Sequence, residues 1–493
     1  MTLGRISIGE ICVDLHASIR ESIEKMDAAC LGIVFVTDGE RLAGVVTDGD
    51  FRRAVLKGLD DLSTPISSIM NENPSTLPVG AGAEETFLAL SAGLSEGRKV
   101  FPRVDETGRV QDFSYREHWG LLPVAEPELT GSEAAYVLQC IEQNWISSSG
   151  PFVREFERGF GEYTGLANPV AVSNGTVALT LAMQALNLEP GAEVIVPSAT
   201  FAATASSVVA AGGRPVLADV DPITWGLSPA TVAPLLSDLT RAIIAVHLYG
   251  SPCDIEGLRR LADERGILLI EDCAEAIGTT VGHRHVGHLA DAATFSFFGN
   301  KTLTTGEGGM VFFADPDAAA RARQLRDHGM STTRRYWHDV VGYNYRLTNV
   351  QAAIGVAQVE RAAQLVGKKQ RIGEQYQHGL EEIPGLAPMP RSPFGESSFW
   401  LFPVMLSDEV ADQRETLMEL LAADGIQTRV TFPALHRMPP FAGERRAAEL
   451  AVSEDIERRG ICLPNTPRMT DDSVAYVLKA LAVNMQRVVE SGR

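Results

Sequence analysis

Between Val170 and Phe313 the chain repeats one pattern, a short apolar run followed by a stretch long enough for a helix. The runs are Val170 to Val172, Val194 to Val196, Pro215 to Ala218, Ala242 to Val246, Ile267 to Ile270, Ala293 to Phe297 and Gly309 to Phe313. Strands that alternate with helices of ten or more residues build a mostly parallel sheet with helices packed on its faces, so an α/β domain of seven strands is expected. Beyond about Gln351 the pattern turns helical, with Glu360 to Leu380 leading to strand candidates at Phe399 to Met405 and Thr428 to Val430. This predicts a large domain over residues 122–365 and a small C-terminal α+β domain over residues 366–493.

A chain of 493 residues exceeds what one core usually serves, which fits this division and leaves room for a further domain before it. The formal charge of −20 argues against a nucleic-acid partner, because phosphate backbones are held by clustered Lys and Arg. An anionic ligand must therefore meet donors arranged locally. The six cysteines, Cys12, Cys30, Cys140, Cys253, Cys273 and Cys462, include no Cys-x-x-Cys pair, so neither zinc nor redox chemistry is indicated, no metal is expected, and a reducing cytoplasm fits best. No apolar run approaches a membrane span, and Met1 to Arg20 lacks the core of a signal peptide.

Residues 1–118 read as two related half-units. The first runs from a helix over Ser18 to Ala29 through strand Ile33 to Val36, an Asp38-Gly39 turn and strand Leu42 to Thr47, with a helix starting near Asp50. The second runs from a helix over Ala83 to Leu94 through strand Lys99 to Val104 and a turn at Glu106 to Gly108. This order, with Gly44-Val45-Val46-Thr47-Asp48-Gly49-Asp50, resembles a CBS-domain pair, a module that commonly binds adenine nucleotides between its halves. The resemblance implies Thr47 and Asp50 as ribose and phosphate contacts, with no equivalent in the second half. The alternative is a structural module in which Thr47 and Asp50 cap the following helix.

Four features of the large domain point to one chemistry. Lys301 follows a strand and a Ser-Phe-Phe-Gly-Asn turn and precedes a glycine-rich segment, which sets an amine at a strand end facing a cleft. Asp272 stands at the end of another apolar strand, where α/β proteins place their ligands. Ser173-Asn174-Gly175-Thr176 joins a strand to an apolar helix, whose free amides suit a phosphate. Phe201 follows a fourth strand end and can lay its ring against a flat ligand. An amine, an acid, a phosphate cup and an aromatic face are what pyridoxal phosphate needs.

These segments, with Val246 to Gly250, Glu271 to Ala276, Phe295 to Gly309 and Gly342 to Arg346, together resemble the nucleotide-sugar aminotransferases of the DegT/StrS group, fold-type I pyridoxal-phosphate enzymes. The resemblance implies Lys301 for the cofactor aldehyde, Asp272 for the pyridine nitrogen, and Gly175, Thr176 and Ser296 for the phosphate, with Phe201 stacking on the ring. It further implies a homodimer in which Asn344 reaches the partner's cofactor phosphate. Glu275 stands near the cofactor hydroxyl where many members carry Gln or His. Within the group, Glu271 to Ile277, Phe295 to Lys301 and Arg334-Arg335-Tyr336-Trp337 are similar to enzymes that aminate C4 of a GDP-linked 4-keto-6-deoxy sugar with L-glutamate, for surface polysaccharide. Arg334, Arg335, Arg346 and Arg429 are candidates for the diphosphate, each equally readable as a surface or structural ion pair. The competing expectations are a UDP-linked or 3-keto acceptor, the 3-dehydratase branch that carries His in place of the lysine, and an inactive nucleotide-sensing regulator on the same fold.

Overall fold

The computed structural model describes residues 7–29, 31–81, 100–115 and 122–491. Two units separate, Met1–Leu122 with Ala423–Gly425, and Pro123–Ala422 with Ile426–Arg493.

The N-terminal unit contains the expected repeat. Its first half is β1 (Cys12–Asp14), α1 (Ile19–Ala29), β2 (Ile33–Asp38), β3 (Arg41–Thr47) and α2 (Asp48–Leu56), and its second is β4 (Leu77–Pro78), β5 (Val100–Val104) and β6 (Val110–Tyr115). In each half the first strand pairs parallel to the second, which pairs antiparallel to the third. The helix expected over Ala83 to Leu94 lies outside the described residues. Gly39 takes the positive φ that the hairpin turn between β2 and β3 demands. The halves share a core in which the rings of Phe35 and Phe113 meet edge to face, 6.0 Å apart. Thr47 caps α2: its backbone N–H and hydroxyl donate to Asp50 Oδ2 at 2.9 and 2.6 Å, while Arg53 donates to Asp50 Oδ1 at 2.6 Å. A cap of this kind is worth about 1 kcal/mol to the helix. The same residues also line a cavity of about 650 Å³ with Gly32, Arg53 and Phe101.

In the second unit, α3 (Glu133–Glu142) and α4 (Pro151–Thr164) precede the large sheet, which is built from β7 (Val170–Val172), β8 (Glu193–Pro197), β9 (Arg214–Ala218), β10 (Thr240–Val246), β11 (Leu268–Asp272), β12 (Ala292–Ser296) and β13 (Gly309–Phe313). The order is β7-β13-β12-β11-β10-β8-β9, parallel throughout except for β13. All seven expected strands are present, two with the expected ends and the rest with ends moved by at most two residues. One shift matters: β11 extends to Asp272, because Val246 pairs it on one side and Thr294 on the other. No helix follows Asp272, so it is not a helix cap. The sheet buries its two faces under separate clusters. Phe156 and Phe160 of α4 meet Phe295, Phe297 and Phe312 edge-on or tilted on one side, and Leu179, Met183 and Val208 cover Val194 and Ile244 on the other.

A second sheet of four antiparallel strands follows, in the order β14 (Leu386–Pro388), β15 (Phe402–Leu406), β17 (Gly460–Leu463), β16 (Arg429–Val430). The expected strand from Phe399 begins instead at Phe402, because Phe399 takes a left-handed φ of 48° that breaks the extended run. Helices α10 (Ala362–Gly379) and α13 (Asp471–Ser491) pack on each other beside it. Among the described residues no helix is long and apolar enough to cross a membrane.

Candidate active site

Parallel strands bring their carboxyl ends to one edge, and that edge collects the chemistry. Ser173 to Thr176 follow β7, Phe201 follows β8, His247 follows β10, Asp272 closes β11 and Ser296 closes β12. Lys301 lies five residues beyond Ser296, in a turn fixed by its own N–H donating to Phe298 O at 2.9 Å. Its side chain is 12% exposed, and Nζ stands 3.9 Å from Glu275 Oε1 and 3.8 Å from the centroid of the Trp400 ring.

Burial pushes the Lys301 amine down from the ordinary lysine range, against the pull of the Glu275 and Asp272 carboxylates and with help from the positive charge of Arg429. A shift in this direction favours the free amine, the form that attacks an aldehyde. Asp272 is 5% exposed, and burial raises its carboxyl, opposed by its hydrogen bonds and by the positive charges of Lys301 and His247. Its Oδ2 accepts from Thr204 Oγ1 at 2.9 Å and its Oδ1 from the Ala274 N–H at 3.2 Å, which fixes the plane of the carboxylate. Behind the same strand end, His247 and Glu271 form a buried pair: Nε2 lies 3.0 Å from Glu271 Oε2, and the Cys253 N–H donates to Nδ1 at 3.3 Å. The His247 N–H also donates to the Asp272 carbonyl at 3.3 Å, joining the two strand ends. Glu275 is 5% exposed, accepts from the Tyr249 N–H at 2.8 Å, and is raised by burial to about 7 despite the Lys301 amine.

The phosphate cup has a steric signature. Helix α5 (Gly175–Ala185) is capped by Asn174, whose side chain and carbonyl take the N–H groups of Val177 and Ala178. The amides of Gly175 and Thr176 have no intrahelical acceptor, and the first turn carries no acidic side chain. A Cβ on Gly175 would stand 2.8 Å from Ser296 Cβ and 3.1 Å from its hydroxyl, so only glycine lets the end of β12 meet the start of α5 this closely. Phe201 is 58% exposed, with its ring tilted against that of Phe432, centroids 5.7 Å apart.

The arginines separate. Arg429 is exposed and close enough for its charge to act on Lys301. Arg346 is tied to Asp327 at 3.0 Å and donates to Asn344 Oδ1 at 3.0 Å. Arg334 and Arg335 lie exposed on a loop, stacked on Trp337 and Tyr336 at 4.3 and 4.9 Å. Asn344 is exposed. Sequence reasoning missed Trp400, Tyr249 and Phe432, whose rings stack at interplanar angles of 10° to 21° beside Lys301. They come from three separate segments of the chain, and nothing local to Lys301 signals them.

A buried lysine amine, a buried carboxylate and a helix N-terminus around one edge of a mostly parallel seven-stranded sheet define a fold-type I pyridoxal-phosphate enzyme. The chain belongs to the DegT/DnrJ/EryC1/StrS aminotransferase family, which it matches over residues 127–482. Residues 6–57 match the CBS domain, so the match covers the first half-unit of the N-terminal repeat. A GDP-perosamine synthase of Caulobacter vibrioides is 42% identical over 361 residues, 73% of this chain and 97% of that protein. Among solved structures, the aminotransferase TlmJ from Streptoalloteichus hindustanus is 32% identical with a TM-score of 0.69, covering 74% of this chain and 98% of TlmJ. Spr1654 from Streptococcus pneumoniae, solved in its PLP form, is 25% identical with a TM-score of 0.71, covering 75% of this chain and 99% of that one. The cofactor is pyridoxal 5′-phosphate.

Proposed function

We propose that this enzyme transfers the amino group of L-glutamate to C4 of a GDP-linked 4-keto-6-deoxy sugar, giving a perosamine-like 4-amino sugar nucleotide for surface polysaccharide such as lipopolysaccharide O-antigen. The observation that carries this is the placement of the Lys301 amine between Glu275 and Trp400 at the sheet edge that also holds Asp272. The GDP-linked acceptor rests on the similarity to GDP-perosamine synthases, which extends over nearly their whole length.

Bound pyridoxal phosphate supplies an aldehyde for amine exchange and a conjugated ring that takes up the electrons left when a proton departs from carbon. Lys301 would hold that aldehyde, and its free amine would carry the proton at the donor Cα. Asp272, fixed by Thr204 and Ala274, would keep the ring nitrogen protonated. Glu275 would serve the ring hydroxyl, the amides of Gly175 and Thr176 with the Ser296 hydroxyl would hold the phosphate, and Phe201 would lie against the ring. Arg429, and less directly Arg334, Arg335 and Arg346, offer charge to the sugar diphosphate. The two half-reactions use the same groups in opposite order, which gives ping-pong kinetics.

In this reading the enzyme is a cytoplasmic homodimer with Asn344 of each subunit serving the partner's phosphate site. The cavity in the N-terminal unit would take an adenine nucleotide against Thr47 and Asp50. The deciding assay incubates the protein and L-glutamate with GDP- and UDP-linked 4-keto and 3-keto sugars and reads the amine product by mass. Amination of the GDP-linked 4-keto sugar alone supports the proposal. A UDP-linked or 3-keto sugar preferred over it would replace the acceptor, and no product with any of them would favour a nucleotide-sensing role.

A further inference from the structure

Lys369 of α10 is a buried amine, 2% exposed, and among the described residues no carboxylate figures in the charges that act on it. Nζ donates instead to two backbone carbonyls, Trp400 O at 2.8 Å and Asn465 O at 2.6 Å. Burial pushes this amine down to about 7, and the charge of Lys301 pushes the same way. An apolar side chain of similar length would fill the space without desolvating an amine, so packing alone does not account for a lysine here.

What the amine holds does account for it. The Trp400 ring lies against Lys301 Nζ, and its indole N–H donates to the carbonyl of Asn300, the residue before Lys301, at 2.8 Å. Asn465 in turn donates from Nδ2 to Phe399 O at 2.7 Å. Phe399 is the residue held at φ 48°, a conformation costly for a bulky side chain unless its surroundings impose it. Lys369 therefore grips, directly or through Asn465, both residues of the strained turn that aims the indole. The charged groups acting on Lys301 are Glu275, Asp272 and Arg429, and the one acting on Lys369 is Lys301.

We propose that Lys369 is a positioning residue for Lys301: by holding the Trp400 and Asn465 carbonyls it sets the indole against Nζ, and its ammonium charge opposes a second one on Lys301. The proposal rests on Lys301 being the cofactor lysine. The test compares wild-type holoenzyme with Lys369→Met, which keeps the length but has no donor, and Lys369→Gln, which keeps two donors but no charge. The readouts are the pH midpoint of the bound-cofactor absorbance change, and kcat and KM for L-glutamate.

Lys369→Met should raise the midpoint by about one pH unit, since a repelling charge is gone, and lower kcat roughly tenfold with KM little changed, since the reacting amine is less well aimed. Lys369→Gln should show the raised midpoint with kcat nearer wild type. A wild-type midpoint in either variant overturns the proposal, and if Lys369→Met does not fold, the Lys369→Gln midpoint decides. Wild-type protein that shows no pyridoxal absorbance at all would instead overturn the assignment of Lys301.

Discussion

Lys301 and Glu275 set an amine and a carboxyl group 3.9 Å apart, each almost wholly withdrawn from water. Burial acts on both in the direction of neutrality, lowering the amine and raising the carboxyl to about 7. A carboxylic acid that keeps its proton near neutral pH can donate a hydrogen bond toward a phenolic oxygen, where a Gln would offer its amide. This gives the departure from the family's usual residue a physical sense.

The same shift predicts how the cofactor-free protein responds to pH. Because Glu275 titrates near 7 when folded and near 4.5 when unfolded, the native state holds a proton that the unfolded chain gives up between those values. Its contribution is fully present below about 4.5 and is lost as pH rises through about 7, on the order of 3 kcal/mol in all. Glu275→Gln should remove that decline. Scanning calorimetry of wild type and variant from pH 4.5 to 7.5 checks it: the gap should move in favour of the variant as pH rises, and parallel curves would contradict the shift.

Asp272→Asn keeps an oxygen for the Ala274 amide but removes the charge, so the ring nitrogen loses its acidic partner. Turnover should fall by roughly two to three orders of magnitude with cofactor still bound. Steady-state kinetics beside the visible spectrum separate this from simple loss of cofactor, and unchanged turnover would remove Asp272 from the mechanism.

Gly175→Ala places a methyl group 2.8 Å from Ser296 Cβ, so the end of β12 and the start of α5 must part. The overpacking costs about 1 to 3 kcal/mol. If the cost falls on the phosphate cup, pyridoxal phosphate affinity drops at least roughly tenfold in equilibrium dialysis. Wild-type affinity would show that the cup lies elsewhere.

Asn344 is exposed on its own subunit, as a residue serving a neighbour would be. Lys301→Ala and Asn344→Ala subunits, each inactive alone, should regain up to about a quarter of wild-type activity per site when mixed, if each site draws on both subunits. Verified heterodimers without activity would contradict a shared site.

Most of the scaffold was legible because its signals are local. Apolar runs such as Ala242 to Val246 declare buried parallel strands, and Gly175 and Asp272 declare themselves by standing at strand ends. The Asp38-Gly39 turn did the same for the N-terminal hairpin. What stayed hidden depends on contacts distant in sequence. Nothing around Trp400 says that its ring meets Lys301, because β-sheet pairing and the return of α10 bring them together from a hundred residues apart. Lys369 looks like the second half of a solvated Lys368-Lys369 pair, yet Lys368 reaches Glu128 at 2.6 Å while Lys369 turns inward. For Thr47 and Asp50 the sequence offered two roles, and the two residues both cap the helix and line the neighbouring cavity, so neither role is singled out by local sequence.

The bond between Lys301 and the cofactor aldehyde is covalent, so it can be trapped and read as a label. Reducing the holoenzyme with borohydride fixes the cofactor to whichever lysine carries it, and peptide mapping by mass then locates the label. A phosphopyridoxyl group is expected on the peptide containing Lys301 and on no other. A label on a different lysine, Lys369 included, or none on a protein that transaminates, would contradict it.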